Sequence, residues 1–114
     1  MRVLIVEDEG LVALMLEDML EDIGCDVAFS AASVAQALAW IESDGQADAA
    51  LLDVNLAGEK VFPVAQALRA RGVPFIFATG YGDTRDPRFG DAPNLGKPIM
   101  IERLAEALHG MGLD

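Results

Sequence analysis

The chain has 114 residues, 53% of them apolar, with one cysteine and a formal charge of −11. That length allows one compact domain, and the apolar content is enough to bury a real core and argues against disorder. The acidic balance argues against a nucleic-acid partner, which needs a basic patch, and against an anionic membrane surface.

A lone cysteine, Cys25, rules out an internal disulfide. Beside Asp26, which opposes thiolate formation, Cys25 reads as a small core residue. No apolar run is long enough to cross a bilayer. The chain enters a strand at once, unlike a signal peptide, so a cytoplasmic setting is expected and no upstream domain.

Arg2 to Val6 is a β-branched apolar run, predicted to be the first strand, and Glu7-Asp8-Glu9 follow it. A helix is predicted from about residue 10 to Ile23, closed by Gly24, with Val12, Leu16, Met19, Leu20 and Ile23 facing the core. Leu11, Leu14 and Met15 fall off that stripe. Either they pack under the last helix or they form a docking patch. Asp26 to Phe29 is a short second strand. Ser33 is a plausible N-cap for a helix to about Ser43, with Val34, Ala37, Leu38 and Ile41 inward and Trp40 half exposed.

The run Ala49 to Leu52 is apolar throughout and ends on Asp53. Such a run suits a strand buried on both faces, in the middle of a parallel sheet. Residues 56–59 read as a loop, and a helix from about Lys60 to Arg71 buries Val61, Val64, Ala65 and Leu68. Phe75 to Ala78 is a fourth strand, ending at Thr79-Gly80. Residues 80–93 are rich in Gly, Pro and Asp and are expected to form a mobile loop with at most a turn or two of helix. Residues 94–96 are a weak fifth strand, and the last helix runs from about Met100 to His109.

Alternation of this kind predicts an α/β fold, a doubly wound five-stranded parallel sheet with helices on both faces. A strand order of 2-1-3-4-5 brings Glu7, Asp8, Asp53, Thr79 and Lys97 to one rim, at the carboxyl ends of the strands. The chemistry of that set is coherent. Clustered carboxylates repel and raise each other's pKa, and a hard cation such as Mg2+ relieves the conflict. Asp53 is then a nucleophile for phosphorus, Lys97 a point charge for the arriving group, and Thr79 a hydroxyl donor, with Gly80 leaving the approach unobstructed.

These residues, each at a predicted strand end, resemble the receiver domains of bacterial two-component response regulators. The matching positions are Glu7-Asp8, Asp53, Thr79 and Lys97-Pro98, and the resemblance covers essentially the whole chain. It implies phosphoryl transfer to Asp53 from a phosphohistidine on a histidine kinase or phosphotransfer protein. It implies Mg2+ held by Asp8, Asp53 and the Asn55 carbonyl, with Glu7 nearby or acting through water, and a cis bond before Pro98. The run Phe77-Ala78-Thr79-Gly80-Tyr81 further resembles a receiver subgroup with a Phe-Ala-Thr-Gly-aromatic-Tyr-type signature, although here Tyr81 directly follows Gly80 and the match is short.

Two departures stand out. The switch aromatic usual three residues before the lysine is replaced by Asn94, and the segment from Thr79 to Lys97 is about one helical turn short. Ordering of residues 80–93 is therefore the expected switch, with Tyr81 and Phe89 as moving parts. Leu11, Leu14 and Met15 are candidates for docking a kinase's helical hairpin. With no output segment visible, the downstream partner is expected to be a protein. The alternative function is a Mg2+-dependent phosphatase with an aspartyl nucleophile. Such enzymes want an acid two residues after the nucleophile, where this chain has Asn55.

Overall fold

The computed structural model describes residues 1–113. Five parallel strands form one sheet in the order β2-β1-β3-β6-β7. They are β1 (Arg2–Val6), β2 (Asp26–Ala31), β3 (Ala49–Asp53), β6 (Phe75–Thr79) and β7 (Asn94–Gly96). The predicted strand order is the observed one. Between β3 and β6 lies a two-stranded hairpin of β4 (Asn55–Leu56) and β5 (Glu59–Lys60).

Side chains alternate across the central strands, as a pleated sheet requires. Val3, Ile5, Leu51, Ile76 and Ala78 meet α1 (Gly10–Ile23) and α4 (Ile101–His109) on one face. Leu4, Val6, Leu52, Phe75 and Phe77 meet α2 (Val34–Glu42) and α3 (Phe62–Ala70) on the other. Two separate apolar layers result, with β3 wholly buried between them.

Local chemistry sets the helix ends. Gly24 closes α1 in the left-handed region at φ 101°, its N–H bonded to the Leu20 and Glu21 carbonyls. The Ser33 side chain accepts the Gln36 N–H and starts α2. On α1 the inward stripe is Ala13, Leu16 and Leu20, while Val12, Met19 and Ile23 are only partly buried. Leu11, Leu14 and Met15 are exposed, so they do not pack under α4. Cys25 is buried, and burial first, then Asp26, pushes its thiol pKa up, while the N-terminal ammonium opposes this. Trp40 is half buried and stacks on Phe29 at 5.5 Å between ring centres. A side chain at Gly45 would run into the Trp40 indole, so that turn needs glycine.

Two expectations are corrected. Residues 56–59 are not an open loop: Ala57 and Gly58 form a two-residue turn at φ 52° and 92°, and Gly58 N–H donates to Asn55 Oδ1 at 2.8 Å. A turn with two positive φ values matches the twist of a hairpin, although alanine enters that region at a cost. The hairpin displaces the start of α3 from Lys60 to Phe62, with Val61 buried as its cap.

Between β6 and β7 the chain has a single 3-10 turn, Pro87–Phe89, where a helix would complete the second face. The Phe89 ring fills that place. It lies 5.7 Å from Phe75, 6.1 Å from Phe62 and 6.1 Å from Phe77, measured between ring centres. The Arg69 guanidinium sits 5.0 Å from the Phe89 ring centre and pairs with Asp91 at 2.9 Å.

Candidate functional site

The carboxyl ends of β1, β3 and β6 and the residue after β7 converge on one rim. Hydrogen bonds keep that end of the sheet in register beyond the strands. Val54 N–H reaches the Ala78 carbonyl at 3.2 Å, and Lys97 N–H reaches the Thr79 carbonyl at 2.8 Å. Lys97 is thereby brought across β6 toward β3. Its Nζ lies 2.9 Å from Asp53 Oδ1 and 4.0 Å from Glu7 Oε2. The Lys97–Pro98 peptide bond is cis.

Asp53 is 3% exposed and also accepts the Asn55 N–H at 3.3 Å. Glu7 is equally buried; its Oε1 accepts the Glu9 N–H at 3.1 Å, while its Oε2 has no hydrogen-bond partner. Asp8 is half-buried, and one oxygen from each of Glu7, Asp8 and Asp53 lies within 4.8 Å of the others.

This crowding has electrostatic consequences. Burial, then the negative charge of Asp53, pushes the Glu7 carboxyl up from 4.5 to about 7, against the Glu9 N–H and Lys97. For Lys97, burial pulls the pKa down, but the bond to Asp53 and the charges of Asp53, Glu7 and Asp83 outweigh it, and the net shift is upward. Lys97 is therefore firmly cationic. The rim holds three carboxylates against one ammonium, with one buried oxygen unsatisfied. An all-oxygen set of this kind fits a hard divalent cation.

A family model for the response regulator receiver domain matches residues 3–109. The chain belongs to that family. Among solved structures, SdrG from Sphingomonas melonis Fr1 is 52% identical over 96% of this chain and 94% of its own, with a TM-score of 0.85. A structure described as the BeF3-activated conformation of SdrG from Pseudomonas melonis Fr1 is 50% identical over 96% and 94%, with a TM-score of 0.80. The receiver domain of PhyR from Erythrobacter litoralis is 28% identical over 96% and 88%, with a TM-score of 0.80. No curated protein matches the chain.

In this receiver domain, Glu7, Asp8, Asp53 and Lys97 meet as one group. Thr79 and Gly80 stand at the same rim, but both are engaged elsewhere. Thr79 Oγ1 donates to Asn94 Oδ1 at 2.7 Å, and Gly80 N–H donates to Asp83 Oδ2 at 2.6 Å. No motif in the sequence marks Asp83, and Asn94 stands out there only as the residue in place of an aromatic. The spacing of Asp83, three residues after Gly80, was the available signal for a turn-closing carboxylate.

Tyr81 is fully exposed, whereas Phe89, expected above to be a second moving part, is buried in the ring cluster and is better placed to stay fixed. Leu11, Leu14 and Met15 form an exposed apolar strip on α1. Met15 also borders a cavity lined by Met19, Ala78, Pro98 and Ile99, which reaches Glu7 and Lys97. Among the described residues no helix is long and apolar enough to cross a membrane.

Proposed function

We infer that Asp53 is the phosphoryl acceptor of a two-component phosphorelay. The single observation that carries this is the buried Asp53 carboxylate at a central strand end, 2.9 Å from the Lys97 ammonium and grouped with Glu7 and Asp8. The donor is a phosphohistidine on a histidine kinase or phosphotransfer protein. An Asp53 oxygen forms a bond to phosphorus while the phosphorus–nitrogen bond to the imidazole breaks. The electron pair stays on the imidazole, and an aspartyl phosphate results.

Asp8, Asp53 and the Asn55 carbonyl, with Glu7 behind them, would hold Mg2+. When bound, it neutralises charge on the carboxylates and phosphoryl oxygens. Lys97 pairs with the transferred group and orients Asp53 before transfer. The Thr79 hydroxyl and the Gly80 N–H supply the remaining hydrogen bonds once released from their present acceptors. Residues 80–93 then change conformation, with Tyr81 moving over a base fixed by Phe89. The Phe77-Ala78-Thr79-Gly80-Tyr81 run is consistent with the signature subgroup, and this chain carries Asn94 where the usual switch aromatic stands.

The strip of Leu11, Leu14 and Met15 beside the rim suits the helical hairpin of a donor, because it places apolar contact next to the acceptor. Residues 1–114 act as one receiver module in a cytoplasmic setting, and a protein surface reads its state. Incubation with acetyl phosphate and Mg2+ tests the acceptor. The mass of one phosphoryl group should appear on wild type and be absent after Asp53→Asn or without the metal. Labelling of Asp53→Asn equal to wild type would overturn the assignment.

A further inference from the structure

Two donors reach the mouth of the site from the end of β6, the Thr79 hydroxyl and the Gly80 N–H, and both are already taken by acceptors of the chain itself. The Gly80 bond is the more telling. The N–H donates to Asp83 Oδ2 at 2.6 Å, and the acceptor is a carboxylate, so the bond is charge-assisted. Asp83 is tied to Gly80 a second time through its own N–H, which reaches the Gly80 carbonyl at 3.3 Å. The same carboxylate helps to hold Lys97 cationic. Asp83 is half-buried, whereas Tyr81, Gly82, Thr84 and Arg85 around it are exposed. The loop therefore turns one anion inward and leaves its neighbours in solvent. An anionic oxygen bonded to a strand-end N–H, close enough for its charge to act on the site lysine, is what a phosphoryl oxygen would be.

We propose that Asp83 is a built-in competitor for the phosphoryl group, occupying the Gly80 N–H in the resting domain and leaving it when Asp53 is modified. This rests on the reading of Asp53 as acceptor. Displacement of one carboxylate then links the state of Asp53 to the shape of residues 80–86. It needs no aromatic on β7, where this chain has Asn94. A merely structural Asp83 would close a turn and have no effect on anions at the site.

The probe is beryllofluoride with Mg2+, titrated into the full chain and followed by amide NMR at Gly80 and across residues 81–86. Asp83→Ala should bind the probe about fivefold more tightly than wild type or better, the scale of one partly exposed charge-assisted hydrogen bond. Asp83→Asn keeps an acceptor oxygen without the charge and should fall between the two. In the absence of probe, the Asp83→Ala amide signals for residues 81–86 should already lie toward those of the bound wild type. Equal affinity for Asp83→Ala and Asp83→Asn would assign the gain to charge alone and overturn the competition. So would affinity no better than wild type in both, provided core amide shifts are unchanged. A wild type that fails to bind the probe would overturn the Asp53 reading, and the competition with it.

Discussion

Phe77 and Thr79 are two residues apart on β6 and face the same side of the sheet, yet they belong to different physical worlds. Phe77 lies in a cluster of four rings, with Phe75 at 5.3 Å and Phe62 at 5.9 Å. Thr79 opens onto a rim where three carboxylates share one lysine. The ring cluster anchors the rear of the 80–93 segment through Phe89, by contacts no ligand can replace. At the rim the front of the segment is held by the Gly80–Asp83 and Thr79–Asn94 hydrogen bonds, which on the proposed reading a ligand's oxygens replace. A switch needs both: a fixed end to pivot on and a loose end whose bonds can be exchanged.

The largest expected break in this contrast is Phe89→Ala. Truncating a buried ring should cost about 3–5 kcal/mol, a large share of the roughly 5–15 kcal/mol typical of a domain. Urea unfolding measures it directly. A loss under about 1 kcal/mol would mean that Phe89 does not anchor the segment.

Glu7 tests the other side, where the site itself opposes stability. Its folded pKa of about 7 lies above the ordinary 4.5, so the folded chain binds more protons than the unfolded one between those values. The contribution of Glu7 is fully present below about pH 4.5 and is lost as pH rises through about 7. In Mg2+-free buffer this should remove up to about 3 kcal/mol. Glu7→Gln should lack that decline and melt higher than wild type near neutral and alkaline pH. Identical pH slopes for the two proteins would refute the assignment.

The smallest effect is expected for Asn94→Ala. One neutral hydrogen bond to Thr79 is lost, worth about 1 kcal/mol, while the released hydroxyl becomes available to an anion. Melting should fall slightly and beryllofluoride affinity should rise. A fall in affinity would assign Asn94 to the binding site itself.

The sheet order and the meeting of Glu7, Asp8, Asp53 and Lys97 were legible in the sequence because both depend on period and position. An all-apolar run such as Ala49 to Leu52 has one natural place, and a carboxylate at its end follows. What was not legible depends on single contacts. The hairpin at Asn55–Leu56 and Glu59–Lys60 was hidden because Ala57 takes a positive φ that its residue type does not advertise. Phe89 is one apolar residue in a polar, glycine-rich stretch, with no neighbours at helical spacing to mark it as core. Asp83 and Asn94 act through short side-chain bonds across a loop, which no periodicity encodes. Tyr81 is the opposite case: it stands in the signature run, but its ring is fully exposed to solvent.

The pairing of Trp40 with Phe29 has a practical consequence. The sheet has β2 at one margin and β7 at the other, and this stacked pair stands on the β2 side. The chain has only one indole, so its emission follows the collapse or melting of that margin. Fluorescence would then track global unfolding while remaining blind to whatever anion occupies the rim, giving an optical baseline against which changes at Asp53 can be separated from loss of the fold.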